Sequence, residues 1–182
     1  YNRDNLKDDM WGYNRYTKQT VNIGSAFLQN EWKNEKWSIL LGGRLDKHNL
    51  INHVIFSPRA NLRFNPSEDI NLRLSYSSGF RAPQAFDEDL HIENVGGTVS
   101  MIERAKNLKE EKSQSFSASA DMYHRFGAFQ VNFLVEGFYT RLSDVFVLEN
   151  IGERDGILIK ERRNGSGAKV LGLSMEGKMA YL

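Results

Sequence analysis

The 182-residue sequence contains no cysteine, only three prolines and no long uninterrupted run of apolar residues. Without cysteine the chain forms no disulfide bond, no cysteine-ligated zinc site and no catalytic thiol, which leaves its redox compartment open. No segment reaches the roughly 18 apolar residues of a transmembrane helix, which excludes a helical membrane protein, whereas the alternating strands of a transmembrane β-barrel stay compatible with this composition. The net charge of +1 gives no basic footprint for nucleic acid.

Catalytic and metal-binding motifs are also missing. The four histidines occur in no metal-binding spacing, and the chain has neither a nucleophile elbow nor a phosphate-binding loop. We therefore expect that the protein is not an enzyme and that it has no cofactor and no metal site of its own.

What the sequence does contain is repeated alternation of apolar and polar residues. Between Ile70 and Ser77 every second residue is apolar, which predicts a strand with one apolar and one polar face. Extended along the chain, this pattern predicts an all-β protein of about seven strands: residues 20–33, 37–46, 54–64, 69–83, 113–122, 129–148 and 169–181. Residues 1–18 are interpreted as a loop, and residues 157–159 as the return limb of a hairpin above the sheet.

The predicted connections alternate between short and long. Residues 34–35, 65–68 and 125–127 are short turns, whereas residues 47–53, 84–111 and 144–167 are longer. This rhythm is typical of an antiparallel up-and-down transmembrane β-barrel with short turns at one end. Aromatic residues next to the short turns match the girdle of such a barrel, although ordinary aromatics at the edge of a core give the same pattern: Trp32, Trp37, Phe64 and Phe126.

The two chain ends suggest a piece of a larger protein. The sequence begins at Tyr1 without methionine or signal peptide and ends at Leu182 within a predicted strand. An odd number of strands with two free edges leaves backbone groups unpaired in lipid, so we expect further strands.

Four short sequence motifs follow one another along the chain. They are Ala26–Trp32, Leu41–Asp46, the Gly-Phe-Arg-Ala-Pro sequence at 79–83, and Asn107-Leu108-Lys109-Glu110-Glu111-Lys112-Ser113. Together they resemble landmarks of TonB-dependent outer-membrane receptors, in which Gly-Phe-Arg-Ala-Pro closes a strand before a large extracellular loop. The last motif is a shortened counterpart that lacks both prolines of the family pattern.

The resemblance implies a fold, a location and a function. Residues 1–182 are expected to be part of a 22-stranded barrel in the outer membrane of a Gram-negative bacterium, with the plug domain and energy-coupling box upstream of Tyr1. The implied function is active uptake of a scarce nutrient: an iron-siderophore, haem or cobalamin. The implied partners are the TonB complex, acting through the plug, the outer-membrane lipid and a small-molecule chelate.

The long connection after Pro83 is the candidate ligand-binding segment, because loops on a rigid scaffold often carry binding residues. A merely solvated charged loop is the alternative. The resemblance makes His91 a haem ligand if the substrate is haem, and a neutral imidazole suits iron. The candidate ligand-binding residues are Arg81, Asp87, Glu88, Asp89, His91 and Glu93.

Alternation also predicts which way side chains point. Four arginines fall on polar strand faces, where they would meet carboxylates of a plug or simply line a hydrated wall: Arg44, Arg59, Arg63 and Arg73. Other side chains are expected to face lipid: Leu72, Leu74, Phe116, Ala118, Phe129, Val131 and Phe133. Arg73, Ser117 and Asn132 are expected to face the lumen.

Two other classes of protein fit the pattern. One is a passive porin or a surface-binding β protein without energy coupling, and an upstream plug and coupling box would decide against it. The other is a soluble β-rich carbohydrate-binding or adhesin module, which would stay monodisperse without detergent.

Overall fold

A computed structural model describes residues 1–11, 15–84, 93–95 and 98–181. In this part of the chain, 12 β-strands form two sheets, and no helix has the length and apolar character needed to cross a membrane. The strands are β1 (Asn2–Met10), β2 (Arg15–Lys33), β3 (Trp37–His48), β4 (Val54–Ser67), β5 (Ile70–Arg81), β6 (Glu93–Val95), β7 (Thr98–Arg104), β8 (Glu111–Phe126), β9 (Phe129–Ser143), β10 (Phe146–Arg154), β11 (Ile157–Asn164) and β12 (Ala168–Tyr181).

The main sheet contains eight of the described strands in the order β1-β2-β3-β4-β5-β8-β9-β12, and every neighbouring pair is antiparallel. The expected all-β, antiparallel architecture is confirmed. For the main sheet, the expected number of strands was one too low, because the interpretation of residues 1–18 as a loop is wrong. Asn2–Met10 pairs with the first half of β2, from Arg15 to Ile23.

Cross-strand register sorts the side chains of the main sheet onto two faces, since directly paired residues point to the same side. Trp37 pairs with Phe64, Phe64 with Leu72 and Leu72 with Ala120. The side of the sheet that carries these residues is called the apolar face, and the opposite side the polar face. The predicted grouping is confirmed for all seven apolar residues and for Arg73, Ser117 and Asn132. In β2 the register places Ala26, Leu28 and Trp32 on the apolar face.

The short turns use residues that suit tight reversals. The Asn34 side chain accepts hydrogen bonds from the backbone N–H groups of Lys36 and Trp37, at 3.0 and 2.8 Å. Gly127 has a φ of 59° at the first position of the two-residue turn between β8 and β9. Aromatic rings cluster at this short-turn end of the sheet, where the Trp37 and Phe64 centroids stack 4.1 Å apart.

The second sheet has the order β10-β11-β7-β6 and belongs to the two longest connections. The predicted continuation of β9 to residue 148 is wrong, because β9 ends at Ser143, Asp144 adopts a φ of 54°, and Phe146 begins a strand of the other sheet. The predicted hairpin limb at residues 157–159 is confirmed as part of β11. Asp155 and Gly156, both with positive φ, form the turn that precedes it.

The tightly buried residues gather at the opposite, long-connection end of the main sheet. Ile51, Ile55 and Ala82 form a small core with Phe80 packed against it. This cluster joins the β3–β4 connection to the end of β5. The main sheet itself leaves its apolar residues open on one face, as Leu171 at 75% and Met179 at 73% exposure demonstrate. The apolar face therefore has no covering layer within the described residues.

Candidate functional site at the long-connection end

A polar cavity of about 520 Å³ opens on the polar face where β1, β2, β3 and the end of β5 meet. Its position follows from strand length, because β2 and β3 extend past the apolar residues and carry polar side chains there. The cavity is lined by Tyr1, Asn2, Ile23, Ser25, Arg44, Asp46, His48, Phe80, Arg81, Ala82 and Gln84.

Asp46 is the carboxylate of this cavity, and its two oxygens are both engaged. Oδ2 accepts a hydrogen bond from Arg44 Nε at 2.7 Å, and Oδ1 accepts one from Ser25 Oγ at 2.6 Å. The Asp46 side chain is 3% exposed, whereas that of Arg44 is 52% exposed. Asp46 therefore holds one edge of the guanidinium while much of the Arg44 side chain stays open to solvent. The planar, forked N–H donors of a guanidinium group suit oxyanions and carboxylates as hydrogen-bond acceptors.

His48 is fully buried at the end of β3, beyond the last apolar residue of that strand. Nδ1 accepts a hydrogen bond from the backbone N–H of Leu50 at 3.0 Å, which assigns the ring proton to Nε2. Burial lowers the pKa of His48 below its usual value, and the Gln84 side chain acts in the opposite direction. Nε2 has no hydrogen-bond partner of good geometry among the described residues. His48 therefore favours its neutral form, and its ring is buried behind the wall of the cavity.

A second titratable cluster joins two connections near the cavity. Glu110 Oε1 lies 3.1 Å from His53 Nε2 and 3.0 Å from Lys112 Nζ, and Glu110 is only 7% exposed. Burial raises the pKa of Glu110, but a backbone hydrogen bond, the hydrogen bond from Lys112 and the charges of Lys112 and His53 together hold this pKa below its ordinary value. An ionised Glu110 therefore fixes the β3–β4 connection to the start of β8.

Arg81 lies where the two sheets meet. Its guanidinium carbon is 5.3 Å from the centroid of the Phe146 ring, and Phe146 begins β10. Glu111, which pairs with Arg81 across the sheet, accepts the Phe146 backbone N–H at 2.9 Å through Oε2. Arg81 thus touches both the cavity and the second sheet.

Of the predicted ligand-binding residues, the structure places Arg81 at the cavity. Glu93 lies in β6, paired by its backbone with Ser100. Asp87, Glu88, Asp89 and His91 lie outside the described residues. The ligand-binding role of all six residues stays a prediction.

The four predicted plug-facing arginines share the polar face. Arg44 borders the cavity, and Arg63 pairs directly with Arg73. Nε of Arg63 is buried without a hydrogen-bond partner among the described residues. Two cations opposite each other repel, so this position favours an anionic neighbour. Contact with a plug stays a prediction.

Sequence reasoning missed His48, Asp46 and Glu110. Arg44, Asp46 and His48 occupy alternate positions at the end of one strand, and this spacing is a usable signal for polar side chains on one face. The contact of Glu110 with His53 joins residues 57 positions apart and has no local signature. No group of three or more His, Asp or Glu side chains suited to a metal ion occurs in the described part of the chain.

The family model described as "TonB dependent receptor-like, beta-barrel" matches residues 1–181. The chain belongs to this family. The match includes β1, which precedes the first of the four sequence motifs at Ala26. Among curated protein sequences, no match to the chain was found.

Solved structures of TonB-dependent receptors share the fold. The siderophore receptor PirA from Pseudomonas aeruginosa superimposes with a TM-score of 0.74 at 17% identity, over 88% of this chain and 32% of that one. The hemophore receptor HasR from Serratia marcescens, solved with its hemophore HasA and heme, gives 0.70 at 14% identity, over 90% and 32%. The ferric enterobactin receptor PfeA from P. aeruginosa gives 0.66 at 18%, over 88% and 24%.

The chain spans about a quarter to a third of the length of these receptors. The family and these solved structures are receptors and transporters, and none is named as an enzyme.

Proposed function

We propose that the complete protein is an outer-membrane receptor for energy-coupled uptake of a scarce nutrient, an iron-siderophore, haem or cobalamin. The observation that carries the proposal is the polar cavity, in which Arg44 and Arg81 offer guanidinium groups at the long-connection end of a TonB-dependent receptor sheet. Siderophores and haem carry oxyanion or carboxylate groups, which such donors recognise. Membership of the family supports the same function.

In this proposal the apolar face contacts the lipid of the outer membrane and the polar face surrounds a plug domain. The plug couples the receptor to the TonB complex. Nε of Arg63 is buried and has no hydrogen-bond partner among the described residues, and Arg73 lies opposite. This supports contact of Arg63 with a carboxylate of the plug. The second sheet then stands above the lumen at the external side.

The cavity is tested by ligand binding to the complete receptor. Arg81→Ala is compared with Arg125→Ala, a cation on the same face at the short-turn end, whose Nε donates to the Gly127 carbonyl. Each candidate ligand is titrated by fluorescence quenching. We expect Arg81→Ala to weaken binding about tenfold or more, the scale of a hydrogen bond to a charged group. Equal affinities of both variants and the wild type would show that the cavity is not part of the ligand-binding site.

The three nutrient classes are separated by His91→Ala. If haem is the substrate and His91 is a ligand of the iron, the variant loses the shifted Soret band, because a coordinate bond is lost. For a siderophore or cobalamin the same change should cost about 1 kcal/mol or less. Energy coupling is tested by uptake of the bound nutrient in cells with and without TonB. Uptake that is independent of TonB would indicate a passive porin instead.

A further inference from the structure

The second sheet is built from two connections that are far apart in the sequence. β6 and β7 belong to the connection between β5 and β8, whereas β10 and β11 belong to the connection between β9 and β12. The parallel pairing of Val99–Arg104 with Ile157–Arg162 joins the two. Ile102 is 2% exposed and Ile159 is 4% exposed, so each connection contributes a buried apolar side chain to the paired strands. Separation of the connections would break this ladder and expose both side chains to water, so we expect them to move together.

Asn164, the last residue of β11, binds the backbone of both connections where they approach the main sheet. Its Oδ1 accepts a hydrogen bond from the Lys109 N–H at 2.8 Å, and its Nδ2 donates to the Lys109 carbonyl at 3.1 Å and to the Asp144 carbonyl at 2.7 Å. Lys109 precedes β8 by two residues, and Asp144 directly follows β9. One amide side chain therefore connects the end of the first connection to both ends of the second.

The segments that join the second sheet to the main sheet lie outside the strands. Residues 105–110 and 165–167 belong to no strand, and Asp144, with a φ of 54°, separates β9 from β10. Segments without ladder pairing are the least stable parts of a fold and are where hinge motion takes place. Because the ladder of the second sheet is continuous and these segments lack one, we expect movement at the segments, which are held together by Asn164.

Phe146, the first residue of β10, links the position of the second sheet to the polar cavity. The Arg81 guanidinium carbon lies over its ring, 5.3 Å from the centroid, and its N–H donates to Glu111 Oε2 at 2.9 Å. Arg81 also lines the cavity. A guanidinium group that stacks on an aromatic ring donates hydrogen bonds from the edge of its plane. The place of Phe146 therefore limits the orientations that Arg81 adopts in the cavity.

We propose that the second sheet moves as a single lid on the segments joined by Asn164, and that Phe146 is a positioning residue that orients Arg81 for the nutrient. This inference rests on the proposed function, because that function places the nutrient in the cavity that Arg81 lines. In the closed position Phe146 contacts Arg81 and orders the guanidinium before the nutrient arrives, which lowers the entropic cost of binding. Linkage is reciprocal, so the bound nutrient stabilises the closed position in turn.

The lid is tested without nutrient, by amide hydrogen exchange of the complete receptor in detergent. Asn164→Ala removes the amide that both connections share. The control is Asn150→Ala, an asparagine of β10 whose Oδ1 accepts the Gly152 N–H at 3.1 Å within one strand. We expect Asn164→Ala to speed exchange about fivefold or more in residues 105–110 and 144–147 together, the scale of one net hydrogen bond. Protection of the β7–β11 ladder should persist, and the control should leave both segments unchanged.

Faster exchange in one connection alone, unchanged exchange in both segments, or lost protection throughout β7 and β11 would show that the second sheet does not move as one body. In the wild type, bound nutrient should slow exchange in residues 105–110 and 144–147. Exchange that is the same with and without bound nutrient would contradict the coupling between the lid and the cavity.

The positioning role is tested by nutrient titration of Phe146→Leu, Arg81→Ala and the double variant. Leucine keeps an apolar side chain at the start of β10 but offers the guanidinium no aromatic face. We expect Phe146→Leu to weaken binding about two- to fivefold, the scale of a cation–π contact, and to have no further effect in the Arg81→Ala background. Additive losses in the double variant would show that Phe146 does not act through Arg81.

The outcomes separate this inference from the proposed function. If no candidate nutrient binds the wild type while Asn164→Ala still loosens both connections together, the proposed function and the positioning role of Phe146 fail, and the lid stands. If a nutrient binds and Arg81→Ala weakens it as expected, but Asn164→Ala loosens one connection alone, the lid fails and the proposed function stands.

Discussion

The middle of the main sheet and its long-connection end are built on different principles. In the middle, the alternation of apolar and polar residues determines the face on which each side chain lies, and backbone pairing is continuous from β2 to β12. At the long-connection end, alternation gives way to individual contacts such as those of Asp46, His48 and Glu110. The same strands thus provide a repetitive scaffold along one part of their length and specific polar geometry at one end.

The largest expected effect comes from shortening the connection between β5 and β8, which should affect nutrient binding but not folding of the main sheet. Replacement of residues 85–110 by a tight turn removes β6 and β7 but keeps the pairing of β5 with β8. We expect nutrient binding to be abolished while the complete receptor still folds, because loop closure changes by only about 0.6 kcal/mol per doubling of length. Folding is measured by resistance to denaturation on gels, and binding by titration. Lengthening of the Gly127–Ala128 turn is the control, and wild-type affinity after the replacement would exclude this connection from the site.

The next effect tests the assignment of side chains to the two faces. Val131→Arg places a charge on the apolar face, two residues beyond Phe129 at the short-turn end. The change should cost unfolding free energy, but less than the about 2–4 kcal/mol of a position at the membrane midplane, because the penalty falls towards the interface. Asn132→Arg, one residue along on the polar face, is the matched control and should cost much less. Unfolding in lipid vesicles by denaturant titration gives both values. The assignment of faces fails if the control is the more damaging change.

A smaller effect is expected where β12 begins. A Cβ at Gly167 would collide with the Leu142 backbone carbonyl, whereas one at Gly177 meets nothing within 4 Å. Gly167→Ala should therefore destabilise the receptor by about 1–3 kcal/mol, the usual cost of overpacking, and Gly177→Ala should be close to neutral. Comparable unfolding free energies for the two variants would contradict the close approach of β9 to Gly167.

The smallest effect concerns pH at the long-connection end. Because the pKa of Glu110 is lowered in the folded protein, its contribution is complete above the ordinary carboxyl value of 4.5 and is lost as the pH falls through the lowered value. Glu110→Gln should cost about 1 kcal/mol near neutral pH, and the difference should close in acid. Unfolding free energies across this range are the measurement, and Glu153→Gln, a carboxylate exposed on β10, is the control. If the difference in unfolding free energy between Glu110→Gln and the wild type persists unchanged in acid, the ion pairs of Glu110 are not its cause.

Sequence reasoning succeeded where burial or lipid contact imposes a period of two. It missed β1 because Asn2–Met10 carries polar residues on both faces, which removes the period of two, although the strand pairs with β2 from Arg15 to Ile23. It extended β9 too far because Phe146, Val147 and Leu148 continue the apolar composition after Asp144 turns the chain. The contact between His53 and Glu110 depends on tertiary folding, so no periodic pattern in the sequence indicates it.

The parallel pairing of β11 with β7 has a consequence for the order of assembly. Thr98–Arg104 and Ile157–Asn164 are separated by the whole β8–β9 hairpin, which serves as the crossover that any parallel pair requires. Non-local pairing forms slowly, because the intervening chain must first lose its freedom. We therefore expect the β11–β7 ladder to close after β8 and β9 lie side by side, and protection of its amide hydrogens from exchange should then appear later than that of the hairpin.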